Sequence, residues 1–299
     1  MKFGKVNSLS ELDYINFTLP EESIQTKEYL QSLTKTAPTK IYIGAPAWGV
    51  KDWKGKIYPE KLKSEQFLNY YAKSFNSIEL NTVHYRLPEQ SDIFNWLKEV
   101  PPDFLFCPKV NQSISHFSGL TNKQKVDEYF KRMELFGSNL GAHFMQLHEN
   151  FSAKRFTDLS KFVNFIPQNT KIAIELRHSD WFKDQGIFNY LRSKGIGSVI
   201  SDTAGRQDVL HMNITAPFSV IRFVGNNLHK SDYIRIDNWV NKIAEWSAFG
   251  LEEIYFFAHE PEELACPEIS DYLIKQLKNA GLDTTAQMQF VKKEELSLF

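Results

Sequence analysis

Two cysteines, Cys107 and Cys266, are all that the 299-residue chain carries, and they form no CxxC pair. That excludes a disulfide-stapled secreted domain and makes a reducing cytoplasm the expected compartment. No stretch approaches the roughly 18 consecutive apolar residues of a membrane span. Residues 1–9 lack an apolar run, so neither a span nor a signal peptide is expected. Charge of neither sign dominates: Lys plus Arg number 35, Asp plus Glu 36, and the formal net charge is −1. A nucleic-acid or membrane partner is not expected from that balance. No GxGxxG or GxxxxGK[ST] follows any strand candidate, which removes the usual nucleotide-binding open sheet. HxH and HExxH are absent too.

What is present is a large apolar supply, 42% of residues with 24 Phe, enough for a sizeable core. After a polar, weakly patterned start, short apolar runs alternate with amphipathic stretches. Buried parallel strands are expected at 41–44, 77–81, 104–109, 143–148, 171–177, 197–202, 219–224 and 253–259. Helices are expected at 64–75, 90–100, 122–137, 156–165, 184–194, 232–249 and 267–280, with Gly137, Gly195, Gly250 and Gly281 as stops. Eight strands with intervening helices predict one (β/α)8 TIM-like barrel over 40–299, and an N-terminal arm over 1–39 with short helices near 8–12 and 21–33. The tail, 282–299, with its charged Lys292-Lys293-Glu294-Glu295, reads as a solvated terminal turn or short helix.

Side chains alternate along a strand, and in a barrel one parity faces inward and lines the C-terminal rim. By that rule Glu79 goes with Asn81, Cys107 with Lys109, Gln146 with His148, and Glu175 with Arg177. The sixth strand ends at Asp202, the seventh carries Arg222 and the eighth ends at His259. A buried charge without a partner costs several kcal/mol or changes its ionisation. Glu79, Glu175 and Asp202 formally balance Lys109, Arg177 and Arg222, so a paired cluster is expected. A structural salt-bridge plug is one reading. Convergence of polar groups from most strands on one rim favours a ligand site.

The loops add Trp48 and Trp53, which suit stacking or plain packing, then Tyr85-Arg86-Leu87-Pro88, Ser113 to His116, and His178 to Trp181. His116 and His178 are acid–base candidates because imidazole titrates near neutrality, though a loop histidine is more often structural. Glu79, Glu175, Asp202, His148 and His259 are metal-ligand types, but three cations on the same rim oppose a divalent ion. No metal and no cofactor is expected.

These motifs, in this order, resemble the family known as domain of unknown function 72, or YecE-like. The stretches that carry the resemblance are Trp48 with Trp53-Lys54-Gly55 and Tyr58-Pro59; Glu79-Leu80-Asn81 with Tyr85-Arg86-Leu87-Pro88; Lys109 with Ser113-Ile114 and His116; Gln146-Leu147; Glu175-Leu176-Arg177-His178 with Trp181-Phe182; Asp202; Arg222 with Gly225; and His259. The resemblance covers about residues 41–280 and implies a TIM-like barrel but no reaction. The chain departs from that pattern where a Gly-Thr-Ser-Gly-Trp-like start reads Gly44-Ala45-Pro46-Ala47-Trp48. It departs again at His148-Glu149 in place of Pro-Pro, at Phe257-Ala258 in place of Asn-Asn, and at Val220-Ile221 where a Tyr precedes the strand-seven Arg.

The expected function is that of an enzyme on a small anionic or phosphorylated substrate. Lys109, Arg177 and Arg222 would hold the anion. Glu175 or Glu79 would be the general base, assisted by Asp202 or His178. Trp48, Asn81, Tyr85, Arg86, His116, Gln146, Trp181 and His259 complete the substrate-binding set. The alternatives are a non-catalytic small-molecule binder, a metal-dependent hydrolase or isomerase, and a glycoside hydrolase. The last is disfavoured because Gln146 and Arg222 stand on strands four and seven, where such barrels commonly carry their acids. A carboxylate raised in pKa without a cationic neighbour favours an enzyme; complete pairing of every acid favours a binder.

Overall fold

The structure, a computed structural model, describes residues 4–117, 120–261 and 263–292. Lys293, Glu294 and Glu295 of the charged tail lie outside the described residues. Eight parallel strands follow one another: β1 (Lys40–Gly44), β2 (Ser77–Leu80), β3 (Leu105–Pro108), β4 (His143–Gln146), β5 (Ile172–Glu175), β6 (Gly197–Thr203), β7 (Phe218–Val224) and β8 (Glu253–His259). The α-helices are α1 (Ile24–Ser32), α2 (Phe67–Tyr71), α3 (Thr82–Tyr85), α4 (Gln90–Lys98), α5 (Lys123–Met133), α6 (Phe156–Phe165), α7 (Gly186–Ser193), α8 (Lys230–Phe249) and α9 (Cys266–Asn279).

The chain is a TIM-like (β/α)8 barrel whose sheet runs in two ladders, β1-β8-β7-β6-β5-β4 and β2-β3. β1 pairs with β8 from Lys40↔Glu253 to Gly44↔Phe257, as the sequence predicts for the first and last strands. Two seams separate the ladders. At the β1–β2 seam, side chains do most of the stitching, beside one main-chain bond from Glu79 N–H to Ala45 O at 3.2 Å. Asn76 accepts from the Ile43 backbone N–H at 2.7 Å and donates to the Ile41 carbonyl at 3.0 Å. The Tyr71 hydroxyl accepts from Ala45 N–H at 2.8 Å and donates to the Ser77 carbonyl at 2.9 Å. Gly44 permits the approach, since a Cβ there would lie 2.5 Å from the Ser77 carbonyl oxygen. At the β3–β4 seam, Gly141 N–H donates to Phe106 O at 2.8 Å and Val110 N–H to Phe144 O at 2.9 Å.

Helices form where apolar residues recur at three- and four-residue spacing. α6 buries Leu159, Phe162 and Val163, and α7 buries Ile187, Phe188 and Leu191. Asn122 caps α5 by accepting from Lys125 N–H. Gly250 ends α8 with φ 97°, a left-handed conformation that costs a side chain but not glycine. The helix expected at 64–75 is a 3-10 turn, Ser64–Gln66, leading into α2, and the one expected at 122–137 stops at Met133. A 3-10 stretch follows, in which Gly137 breaks the helical path.

Two apolar layers result. An outer layer packs helices onto the sheet. A smaller inner one, including Cys107, Phe144, Val220, Tyr255 and Phe257, fills the barrel and floors the rim. The arm lies across α8: Glu22 accepts from Lys242 Nζ and Trp246 Nε1, Leu30 joins the outer core, and Gly4 O accepts from Gly205 N–H at the rim. Among the described residues no helix is long and apolar enough to cross a membrane.

Candidate functional site

Above the inner apolar floor, five strands send charged or amide groups to one point. The Arg222 guanidinium, from β7, donates Nε and Nη2 to the two oxygens of Glu79 on β2, both at 2.9 Å. Its Nη1 donates to Glu175 Oε2 on β5, again at 2.9 Å. Glu79 also accepts from Asn81 Nδ2 at 3.0 Å and His259 Nε2 at 2.8 Å. Glu175 accepts from Arg177 Nε at 2.7 Å and Gln146 Nε2 at 2.8 Å, and Gln146 Oε1 accepts from Lys109 Nζ at 2.8 Å. Glu79 and Glu175 are 0% exposed and Arg222 is 1% exposed. Parity explains the meeting: each residue lies on the inward face of its strand, and Phe144 lies beneath the guanidinium.

Burial alone would raise both carboxyls, yet the cations win. Arg222 and His259 hold Glu79 well below the usual carboxylate range, and Arg177 and Arg222 bring Glu175 down to about 2. Both oxygens of each carboxylate are occupied by charge-assisted donors. Glu79 and Glu175 are thus locked counter-ions, and both grip the same guanidinium with no sugar-sized gap between them. The Nε2 of His259 faces an acceptor, Glu79, and lies 3.3 Å from Arg222 Nη2, which only donates. Its proton therefore sits on Nε2 and points to Glu79.

Asp202 is not in this cluster. Ser201, one residue earlier, pairs in register with Arg222 and faces inward, so Asp202 faces outward. There it accepts from Arg235 Nε at 3.1 Å and Trp239 Nε1 at 2.8 Å, both on α8. The formal balance expected from sequence is thereby broken: Lys109, Arg177 and Arg222 face two carboxylates, not three.

The loop residues divide. His116 stacks edge-on against His84 at 5.2 Å and against His148 at 5.5 Å, forming a wall of imidazoles beside Lys109. Burial, then the charge of Lys109, lowers His84 to about 4. Burial, then His148 and Lys109, does the same for His116. Lys109 is itself pushed down to about 8, by burial and then by Arg222. By contrast Trp48 packs edge-on against Trp96, and buried Trp181 donates to the Phe151 carbonyl at 2.6 Å. His178 caps the short turn Ser179–Phe182, Arg86 pairs with Asp92, and Tyr85 is 71% exposed. None of these five is bonded to the buried cluster. Of the departures, Phe257 pairs in register with Arg222 and belongs to the apolar floor. Among the described residues no three His, Cys, Asp or Glu side chains converge as metal ligands.

Sequence reading missed Ser201, His84 and Glu260. Ser201 carries no charge to flag it, His84 sits on the unforeseen four-residue α3, and Glu260 follows the last strand residue.

A family model described as "Protein of unknown function DUF72" matches residues 42–292. UPF0759 protein YecE of Escherichia coli K12 is 27% identical over 261 residues, spanning 80% of this chain and 93% of that protein. UPF0759 protein YunF of Bacillus subtilis is 32% identical over 111 residues, 37% of this chain and 36% of that protein. Among solved structures, a DUF72 family protein (TM1631) from Thermotoga maritima superposes with a TM-score of 0.62 at 26% identity, covering 80% of this chain and 98% of that one. A DUF72 family protein (EF0366) from Enterococcus faecalis V583 gives a TM-score of 0.66 at 19% identity, covering 80% and 95%, and shares the fold. With the family model spanning most of its length, the chain belongs to the DUF72 family of proteins of unknown function.

Proposed function

We propose that the rim over β3, β4 and β5 binds a small anionic molecule, carrying a carboxylate or phosphate, with Lys109 as its principal counter-charge. One observation carries the reading: among the described residues the cluster holds three cations, Lys109, Arg177 and Arg222, against two carboxylates. A buried excess charge is costly, and an anion arriving at Lys109 offsets it. Only one donor of the Lys109 ammonium is engaged, by Gln146, among the described residues. The neighbouring His116 imidazole, lowered by burial, offers a hydrogen bond without adding charge. Lys109, held at about 8, is also able to exchange a proton near neutrality, so it is the acid–base group of an enzymatic reading.

A second reading is a non-catalytic anion-binding barrel. The full pairing of Glu79 and Glu175 favours it, because the rim over β3, β4 and β5 then lacks a carboxylate base. Thermal melts in phosphate, against sodium chloride at equal ionic strength, test the shared claim. Phosphate is expected to raise the melting temperature with occupancy in the wild type. Lys109→Met is expected to lose that gain while folding as well as the parent, having shed an unbalanced cation. Equal gains in both proteins would reduce the effect to generic salt.

A further inference from the structure

Past the end of β8 the rim changes sign. The loop after β7 (Gly225, Asn226), the residues after β8 (Glu260, Pro261, Glu263), His259, and Gly4 with Lys5 of the arm line a cavity of about 50 Å³. That is room for a few water-sized groups. Glu260 is 3% exposed. Its Oε2 accepts from Asn227 N–H at 2.7 Å, while its Oε1 is buried without a hydrogen-bond partner. A Cβ on Gly225 would lie 2.3 Å from that Oε1, so the glycine makes the space the oxygen occupies, on the wall both residues share.

Further acids stand around it. The Glu263 carboxyl meets the Cys266 thiol at 3.4 Å. Asp232, bonded to Asn226 and Arg235, adds negative charge from the start of α8. Arg235 is committed to Asp202 and Asp232, and Lys5 is exposed on the arm. His259 turns its Nε2 proton to Glu79, and its Nδ1 has no partner among the described residues. Asn227, Leu228 and Glu263 hold positive φ values of 57°, 60° and 58°, so both loops bounding the cavity are kept in conformations L residues rarely adopt.

We propose that this cavity is a second ligand subsite, one that receives a protonated amine on the Glu260 carboxylate. Burial, and then the charge of Asp232, pushes Glu260 up to about 8, the opposite of Glu79 and Glu175. With Arg235 committed to Asp202 and Asp232, Glu260 is therefore a neutral acid at pH 7. An ammonium entering the cavity favours the carboxylate, so the Glu260 proton leaves to solvent as the ion pair forms.

That release is the test. Calorimetric titration of the full chain with propylammonium chloride at pH 7, in two buffers of different ionisation enthalpy, is expected to show binding with release of close to one proton per amine. Sodium propionate is expected to give no such proton release. Glu260→Gln, which mimics the neutral acid in shape, is expected to fold and to lose amine binding. No binding of propylammonium by the wild type, binding without proton release, or equal binding by Glu260→Gln would each overturn the proposal; so would a bound water in that cavity unmoved by the amine. The wild-type proton count stands even where the variant fails to fold. Neither result touches the phosphate experiment, which reads the opposite side of the rim.

Discussion

Arg222 is one side chain answering to two strands, and with Arg177 and His259 it keeps its carboxylate partners ionised inside the barrel. Removing the charge of Glu175 strands cations in a buried site. Glu175→Gln is expected to cost about 3–5 kcal/mol in urea unfolding, the usual penalty for breaking a buried pair. Unchanged stability would argue that the network contributes nothing to folding. The same residue sets an acid limb. Its folded pKa, about 2, lies below the ordinary 4.5, so its contribution is present above 4.5 and is lost as pH falls towards 2. Melts across that window should fall more steeply in the wild type than in Glu175→Gln. Strand parity makes Glu79, Lys109, Gln146, Glu175, Arg177, Arg222 and His259 legible as one cluster in the sequence alone. It fails at Asp202 because the inward residue there is Ser201, which looks inert, while the charge beside it looks functional. The partners that draw Asp202 away, Arg235 and Trp239, lie on α8, and no strand rule points to them.

At the scale of elements, the β1–β2 seam shows side chains replacing a ladder. Asn76 carries both an acceptor for Ile43 N–H and a donor for Ile41 O, a task that only an amide performs. Asn76→Ala is expected to leave Ile43 N–H buried and unpaired, at about 1–3 kcal/mol read from the urea midpoint, while Ile41 O keeps the Thr284 hydroxyl at 2.7 Å. Asn76→Asp keeps the acceptor and is expected to fall between the two. A midpoint for Asn76→Ala equal to the wild type would show the seam is held by other bonds. The alternation of strands and helices is legible because each helix shows one apolar face and the strands are short apolar runs. The short elements are not. α3 spans four residues, too few for periodicity, and the turn before α2 hides inside a stretch with good helical pattern. The seams are illegible for a further reason: Asn76 and Tyr71 look like a strand-start residue and a helix-face residue, and their second use depends on where β1 arrives.

Taken whole, the barrel consists of a six-strand sheet and a two-strand leaf, β2–β3, set between two seams. Glu79 stands on the leaf, and its partners Arg222 and His259 stand on β7 and β8 of the sheet. In Glu79→Gln, backbone amides of β2 and β3 are expected to exchange with deuterium markedly faster, and those of β6 to β8 little faster. Uniform acceleration would mean that the leaf has no independence. The ion network is thus a clasp as well as a charged floor. A molecule that competed for Arg222 would undo the clasp as it bound and act as a denaturant. Any guest of the rim must therefore leave the guanidinium fastened.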